Sequence, residues 1–283
     1  MDSKDAYTLT MVANERAMYG LLLPHPPVLV PAVGGGRESD AGITLAGLRK
    51  AAERFRDFAP ETVVIISPHA PLYRDYLFVY RDNPLSGSFA AFGAADARLS
   101  FSEDSEFAEG LLDSLAKAGI NAGSEGAQET GGLDHGALVP LWFLSGAYAK
   151  FSLVALSQSA LSERDILAAG ACIAETARRL ARRVCVVASG DMSHRVNRAS
   201  PYGMRVEGAQ FDAAVCDALR ASAPGAIRKI DPRVREAAGE CGYRSIVMLE
   251  GAMPDARTAL LSYEAPFGIG YCAAEFTSPE AQT

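Results

Sequence analysis

Short runs of apolar residues, rich in β-branched and long aliphatic side chains, punctuate this 283-residue chain, and three of them give way within a few residues to a histidine. Residues 19–23 lead to His25, Thr62–Ser67 to His69, and Val184–Ser189 to His194. Stretches of helical period lie between the apolar runs, which is the sequence form of an α/β fold. Further strands are expected at residues 76–80, 152–156, 258–263 and 270–276. The spacing predicts a central, mostly parallel or mixed β-sheet flanked by helices.

Leu45, Leu48, Ala52 and Phe55 recur at three- and four-residue steps and form one apolar helix stripe. A second helix is expected from the capping-box-like start at Ser162, with Ile166, Ala169, Ile173, Ala177 and Leu180 on one face. Helices are also predicted over residues 104–117, 136–144 and 206–221. Residues 83–93 and 121–132 look like loops, too short for interdomain linkers, so one domain is expected over residues 18–278. Residues 1–17 are expected to form a loose extension and 279–283 a tail. Gly34-Gly35-Gly36 lacks the spacing of a phosphate-binding loop and reads as a flexible surface loop.

Charge narrows the partners. With 27 basic against 34 acidic residues and a net charge of −7, neither nucleic acid nor an anionic membrane is an expected partner. The basic cluster Arg178, Arg179, Arg182 and Arg183 falls late in a helical pattern, where it reads as a solvated face. Five cysteines without a CxxC pair fit a reducing cytoplasm, and three of them lie in apolar runs that read as packed core. The N-terminal residues lack the apolar stretch of a signal peptide, and no later run reaches the roughly 18 apolar residues of a membrane span.

The chain has only four histidines: His25, His69, His135 and His194. A lone loop histidine is ordinarily a solvated or hydrogen-bonded residue without chemistry. Here three stand just past the C-terminal ends of apolar runs, the edge of an open α/β sheet where ligands bind. If those strands run parallel, the three meet in one crevice. Prolines flank His25 and His69 and hold both imidazoles on stiff turns, which suits metal ligation. Two histidines and a carboxylate would leave coordination positions open for substrate and oxygen. Glu240, between glycines and beside Cys241, is the leading carboxylate candidate. Asp134 and Asp191 compete, and each could instead orient a neighbouring imidazole.

Six ordered motifs carry a resemblance: LPHPP at 23–27, SPHAP at 67–71, LDHGALVPL at 133–141, SGDMSHR at 189–195, GECGYRSI at 239–246 and SYEAPFGIGY at 262–271. Together they resemble the class III extradiol ring-cleavage dioxygenases, in the branch related to the catalytic subunit of protocatechuate 4,5-dioxygenase that also contains the Memo proteins. The resemblance implies a non-haem Fe(II) site with His25 and His69 as imidazole ligands and Glu240 at the carboxylate position. It implies that His194 is the acid/base and that His135 contacts substrate or bound oxygen, with Asp134 and Asp191 supporting their neighbouring histidines. The implied reaction cleaves the ring of a catechol-type diol with O₂.

The departure lies at the third ligand, because the Memo branch carries a cysteine there and this chain has Glu240 and Cys241 side by side. Adjacent side chains diverge, so only one is expected to face the metal; Glu240 is favoured, with Cys241 the alternative. A thiolate would shift the site toward softer ions such as Cu or Zn. A metal-binding protein without ring cleavage, or a Zn-dependent hydrolase or lyase, therefore stands beside the dioxygenase reading. Tyr73, Arg74 and Asp75, directly after SPHAP, are candidates for lining the substrate pocket. A homodimer is expected, and some relatives work with a small second subunit.

Overall fold

Leu21, Leu22 and Leu23 are all fully buried although neighbouring side chains on a strand point to opposite faces. That requires a sheet covered on both sides, and it explains why the strands read as unbroken apolar runs. The computed structural model describes residues 18–126 and 131–279. The expected extension at 1–17 and residues 280–283 of the expected tail lie outside the described residues.

Six strands make the main sheet: β1 (Met18–Leu23), β2 (Thr62–Ser67), β7 (Ser152–Ser157), β8 (Val184–Ser189), β9 (Arg257–Glu264) and β10 (Tyr271–Thr277). Their order is β7-β2-β8-β1-β10-β9. The first four are mutually parallel, and β10 pairs antiparallel with both β1 and β9. The sheet is thus mixed, as the sequence predicts.

Two apolar clusters cover its faces. Leu21, Leu23, Val63, Ile65 and Val187 pack with α1 (Gly42–Phe58) and α3 (His135–Ala147). Leu22, Val64, Ile66 and Val186 pack with α2 (Ser105–Lys117), α4 (Glu163–Arg179), α5 (Val206–Arg220) and α7 (Tyr243–Ala252). Side chains cap three of these helices: Asp104 accepts from Phe107 N–H, Asp134 from Ala137 N–H and Ser162 from Asp165 N–H. The expected stripe of α1 is buried and Ser162 caps α4 as expected, whereas the caps at Asp104 and Asp134 were not anticipated.

Other expectations need correction. Residues 83–93 are not a plain loop: β4 (Leu85–Phe89) pairs with β5 (Ala94–Phe101) as a hairpin. Only Leu85 and Phe89 of β4 are buried, too few to stand out as an apolar run. The expected strand at 76–80 contracts to β3 (Leu77–Phe78), beside β6 (Ala122–Gly123), because Val79 bridges instead to Leu156 of β7. Two unanticipated helices, α6 (Pro232–Ala238) and α7, flank Glu240 and Cys241. Gly34 ends a single helical turn, and Gly35 and Gly36 take positive φ after it. Among the described residues no helix is long and apolar enough to cross a membrane.

Helices α4 and α7 touch through their backbones. A Cβ on Gly170 would overlap the Met248 carbonyl, and one on Gly251 the Leu167 carbonyl. This contact seats the C-terminal half of α7, the helix that follows Cys241 and Gly242. In an open helix interior, alanine is more stable than glycine by roughly 0.5–1 kcal/mol. Here Gly170→Ala is expected to have the opposite sign, lowering the unfolding free energy by about 1–3 kcal/mol in urea denaturation, since the overlap forces the helices apart.

Candidate metal centre

Strand β8 lies between β1 and β2, parallel to both, with Leu23 beside Ser189 and Ile66 beside Ala188. The three C-terminal ends therefore share one edge, and the following loops bring His25, His69 and His194 together there. His135 arrives from elsewhere, as the first residue of α3, whose N-terminus Asp134 caps. The His25 and His69 ring centroids are 4.9 Å apart, His69 and His135 4.1 Å, and His25 and His135 5.7 Å. Glycine at 136 permits this crowding, because a Cβ there would overlap Ser67 Oγ and lie 3.2 Å from the His69 ring.

Hydrogen-bond accounting sets the direction of His25. Ser189 Oγ donates to the Gly136 carbonyl at 2.5 Å, so its one hydrogen is committed. The 2.9 Å contact between Ser189 Oγ and His25 Nδ1 must then be an Nδ1–H donating to the hydroxyl. His25 Nε2 is left with a bare lone pair. It faces His69 Nε2 at 3.0 Å and Cys241 Sγ at 3.6 Å.

These three donors lie within 4.8 Å of one another and are the group among the described residues with metal-site spacing. Nitrogens at about 2.0–2.1 Å from one ion are separated by ~2.9 Å at a right angle and ~3.4 Å at the tetrahedral angle; a nitrogen and a thiolate at ~2.3 Å from it are ~3.6 Å apart. The observed separations of His25 from His69 and from Cys241 fit a shared cation. Without one, His69 Nε2–H can donate to His25 Nε2.

The electrostatics agree. Burial, then the neighbouring imidazoles of His69, His135 and His194, hold His25 well below the ordinary histidine range. Burial also lowers His69 and His194, and it lowers His135 to about 4 with help from His69. All four imidazoles are therefore neutral at pH 7. The Cys241 thiol is pushed well up by burial and by Asp191, so a cation is needed to draw off its proton.

Glu240 does not join the group. Its Oε2 accepts from Tyr243 N–H at 2.6 Å, at the start of α7, and Arg235 and Arg244 supply the nearby positive charge. The flanking glycines serve the backbone: Gly239 ends α6 at φ +62, and a Cβ on Gly190 would overlap Gly242 Cα. That approach brings Cys241 to the β8 edge while its neighbour turns away, reversing the expected order of the two residues. Nor do the aspartates orient imidazole rings as expected. Asp191 Oδ1 accepts from His25 backbone N–H at 2.9 Å, and Asp134 accepts from Ser67 Oγ at 2.5 Å and Tyr80 OH at 3.1 Å.

Tyr73 and Asp75 line a cavity of about 600 Å³ with Tyr76 and Glu125, and none of the histidines borders it. Arg74 is exposed. The ring contacts at the histidines come instead from Phe92, 5.2 Å from His135, and Tyr202, 5.5 Å from His194. Both are exposed, at 40% and 61%, and no local pattern marked them. His194 Nδ1 lies 2.6 Å from the Gly239 carbonyl, an acceptor only, so Nδ1 carries the hydrogen and Nε2 is bare. Buried Asp212 fixes this loop from α5, accepting from Ser193 N–H at 2.7 Å and Tyr263 OH at 2.7 Å.

From residue 19 to 274 the chain matches the family described as the catalytic LigB subunit of aromatic ring-opening dioxygenase. It is 31% identical over 258 residues to Protein CA_C1420 of Clostridium acetobutylicum, covering 88% of this chain and 55% of that protein. The chain thus spans about half the length of that curated relative. A crystal structure of an uncharacterized Escherichia coli K12 protein, JW3007, is similar at a TM-score of 0.55 and 15% identity, over 91% of this chain and 99% of that one. That likeness concerns the fold alone.

Burial raises the Asp212 carboxyl to about 7 against the pull of its two hydrogen bonds. An unfolded carboxyl titrates near 3.9. The folded state thus favours the proton, and the contribution is present below about pH 4 and lost as pH rises through about 7. Asp212→Asn keeps an acceptor for Ser193 N–H and retains the Tyr263 contact with its direction reversed, the amide N–H donating to the hydroxyl. Its unfolding free energy, measured in urea from pH 4 to 8, is expected to fall less with rising pH than that of the parent.

Proposed function

The chain belongs to the family of the catalytic LigB subunit of aromatic ring-opening dioxygenases, and from that premise we propose that His25, His69 and Cys241 hold one Fe(II) ion beside which a catechol-type diol is opened with O₂. What supports the reading is the convergence of three donors with two further imidazoles, His135 and His194, that the ligand set does not need. Bound there, the metal would supply open coordination positions and electron transfer between substrate and oxygen.

The chain's own residues handle protons and position. His194, with Nδ1–H given to Gly239, takes a phenolic proton on Nε2 and returns it as the ring opens. Neutral His135 offers a hydrogen bond to substrate or oxygen. Phe92 and Tyr202 set aromatic edges at the rim, while exposed His69 marks the side open to solvent. A thiol ligand suits a reducing compartment such as the cytoplasm.

The same thiol favours a second reading. With nitrogen and sulfur donors the site suits Zn or Cu as well as iron, and the protein would then bind metal, or hydrolyse a substrate, without ring cleavage.

Metal-free protein loaded with Fe(II) anaerobically and then exposed to air with a panel of catechols is expected to consume O₂ and give a coloured ring-opened product. If no catechol consumes O₂ while iron stays bound, the dioxygenase reading is wrong. His194→Gln is expected to lower kcat by about 10²–10⁴-fold without changing metal affinity. In chelator competition, Cys241→Ala should weaken binding by more than the ~10–100-fold seen on losing an outer partner of a ligand, and Glu240→Ala should leave it close to the parent value.

A further inference from the structure

We propose that Ser189 is a positioning residue that selects the tautomer of His25 and locks its lone pair onto the metal position. The inference rests on the metal reading above. Histidine offers a metal either ring nitrogen, and the partner of the other nitrogen decides which. The side chain with that role here is a hydroxyl; Asp191 accepts from the His25 backbone N–H through Oδ1, and its Oδ2 stands 4.0 Å from Nε2, beyond hydrogen-bond distance.

A hydroxyl can donate once and accept twice, so by itself it would allow either tautomer. Ser189 is restricted by its second contact. Its hydrogen goes to the Gly136 carbonyl at 2.5 Å, which leaves it only lone pairs for His25 Nδ1 at 2.9 Å. Ser189 is fully buried and His25 nearly so, at 0% and 2% exposure, so water does not offer Nδ1 an alternative partner. The opposite tautomer would set two lone pairs against each other and direct Nε2–H toward His69 and Cys241.

The hydroxyl also joins the elements that carry the site. Ser189 ends β8, which leads to His194; His25 follows β1; and Gly136 follows His135 in α3. One side chain therefore fixes the rotation of a ligand and the distance between three histidine-bearing segments.

The test uses the metal-free full chain with ¹⁵N-labelled histidine, together with zinc affinity by chelator competition. The parent is expected to show His25 protonated at Nδ1 and bare at Nε2. Ser189→Ala is expected to mix or invert that tautomer and weaken zinc about 10–100-fold, and Ser189→Thr to restore both. If the alanine variant does not fold, Ser189→Cys, similar in volume but a poor acceptor, replaces it. A folded variant that keeps the parent tautomer, or loses it while binding zinc as tightly as the parent, overturns the proposal. A parent that binds no zinc or iron, yet whose His25 tautomer follows the hydroxyl, sinks the metal reading and leaves the tautomer control standing.

Discussion

Parallel pairing of β8 with β1 on one side and β2 on the other is the constraint on which the rest of the site depends. Because the three strands run the same way, their exits lie on one edge, and histidines distant in sequence become neighbours. Their side chains are buried on both faces, so a slip of one residue would send Leu22 and Val64 to the opposite cluster and is strongly opposed. The register that packs the core therefore also sets the height at which His25, His69 and His194 emerge. Stability and site geometry draw on the same contacts.

Onto that frame the remaining parts are brought by close approach. Gly136 lets α3 descend until His135 stacks near His69, and the Gly190–Gly242 contact brings Cys241 to His25. Helix α7 can lie where it does because Gly170 and Gly251 allow backbone contact with α4. Each glycine removes a side chain where two elements must nearly touch. The polar atoms then available at short range, Ser67 and Ser189, tie the ends of β2 and β8 to the start of α3 through hydrogen bonds.

Much of this was legible in the sequence because it is local. The runs Thr62–Ser67 and Val184–Ser189 have the observed strand boundaries, and Ser162 caps its helix, since apolar periodicity and capping depend on residues a few positions apart. The β4–β5 hairpin was not legible, because most of its residues face solvent and carry no apolar run. Ser189 and Asp212 were also hidden. Their roles depend on partners far away in sequence, Gly136 and His25 for one and Ser193 and Tyr263 for the other.

The choice between Glu240 and Cys241 shows the same limit at its sharpest. Sequence spacing says that only one of two adjacent side chains can face the edge, but not which. The decision falls to the backbone demands of the next element. Helix α7 begins at Tyr243 and needs an acceptor for its first N–H groups, and Glu240, three residues earlier, is the side chain that supplies it. With the carboxylate committed there and balanced by Arg235 and Arg244, the next side chain points to the imidazoles. Which of the two adjacent side chains stands with the imidazoles thus follows from local backbone geometry, the Gly190–Gly242 approach and the start of α7, rather than from the affinity of either group for a cation.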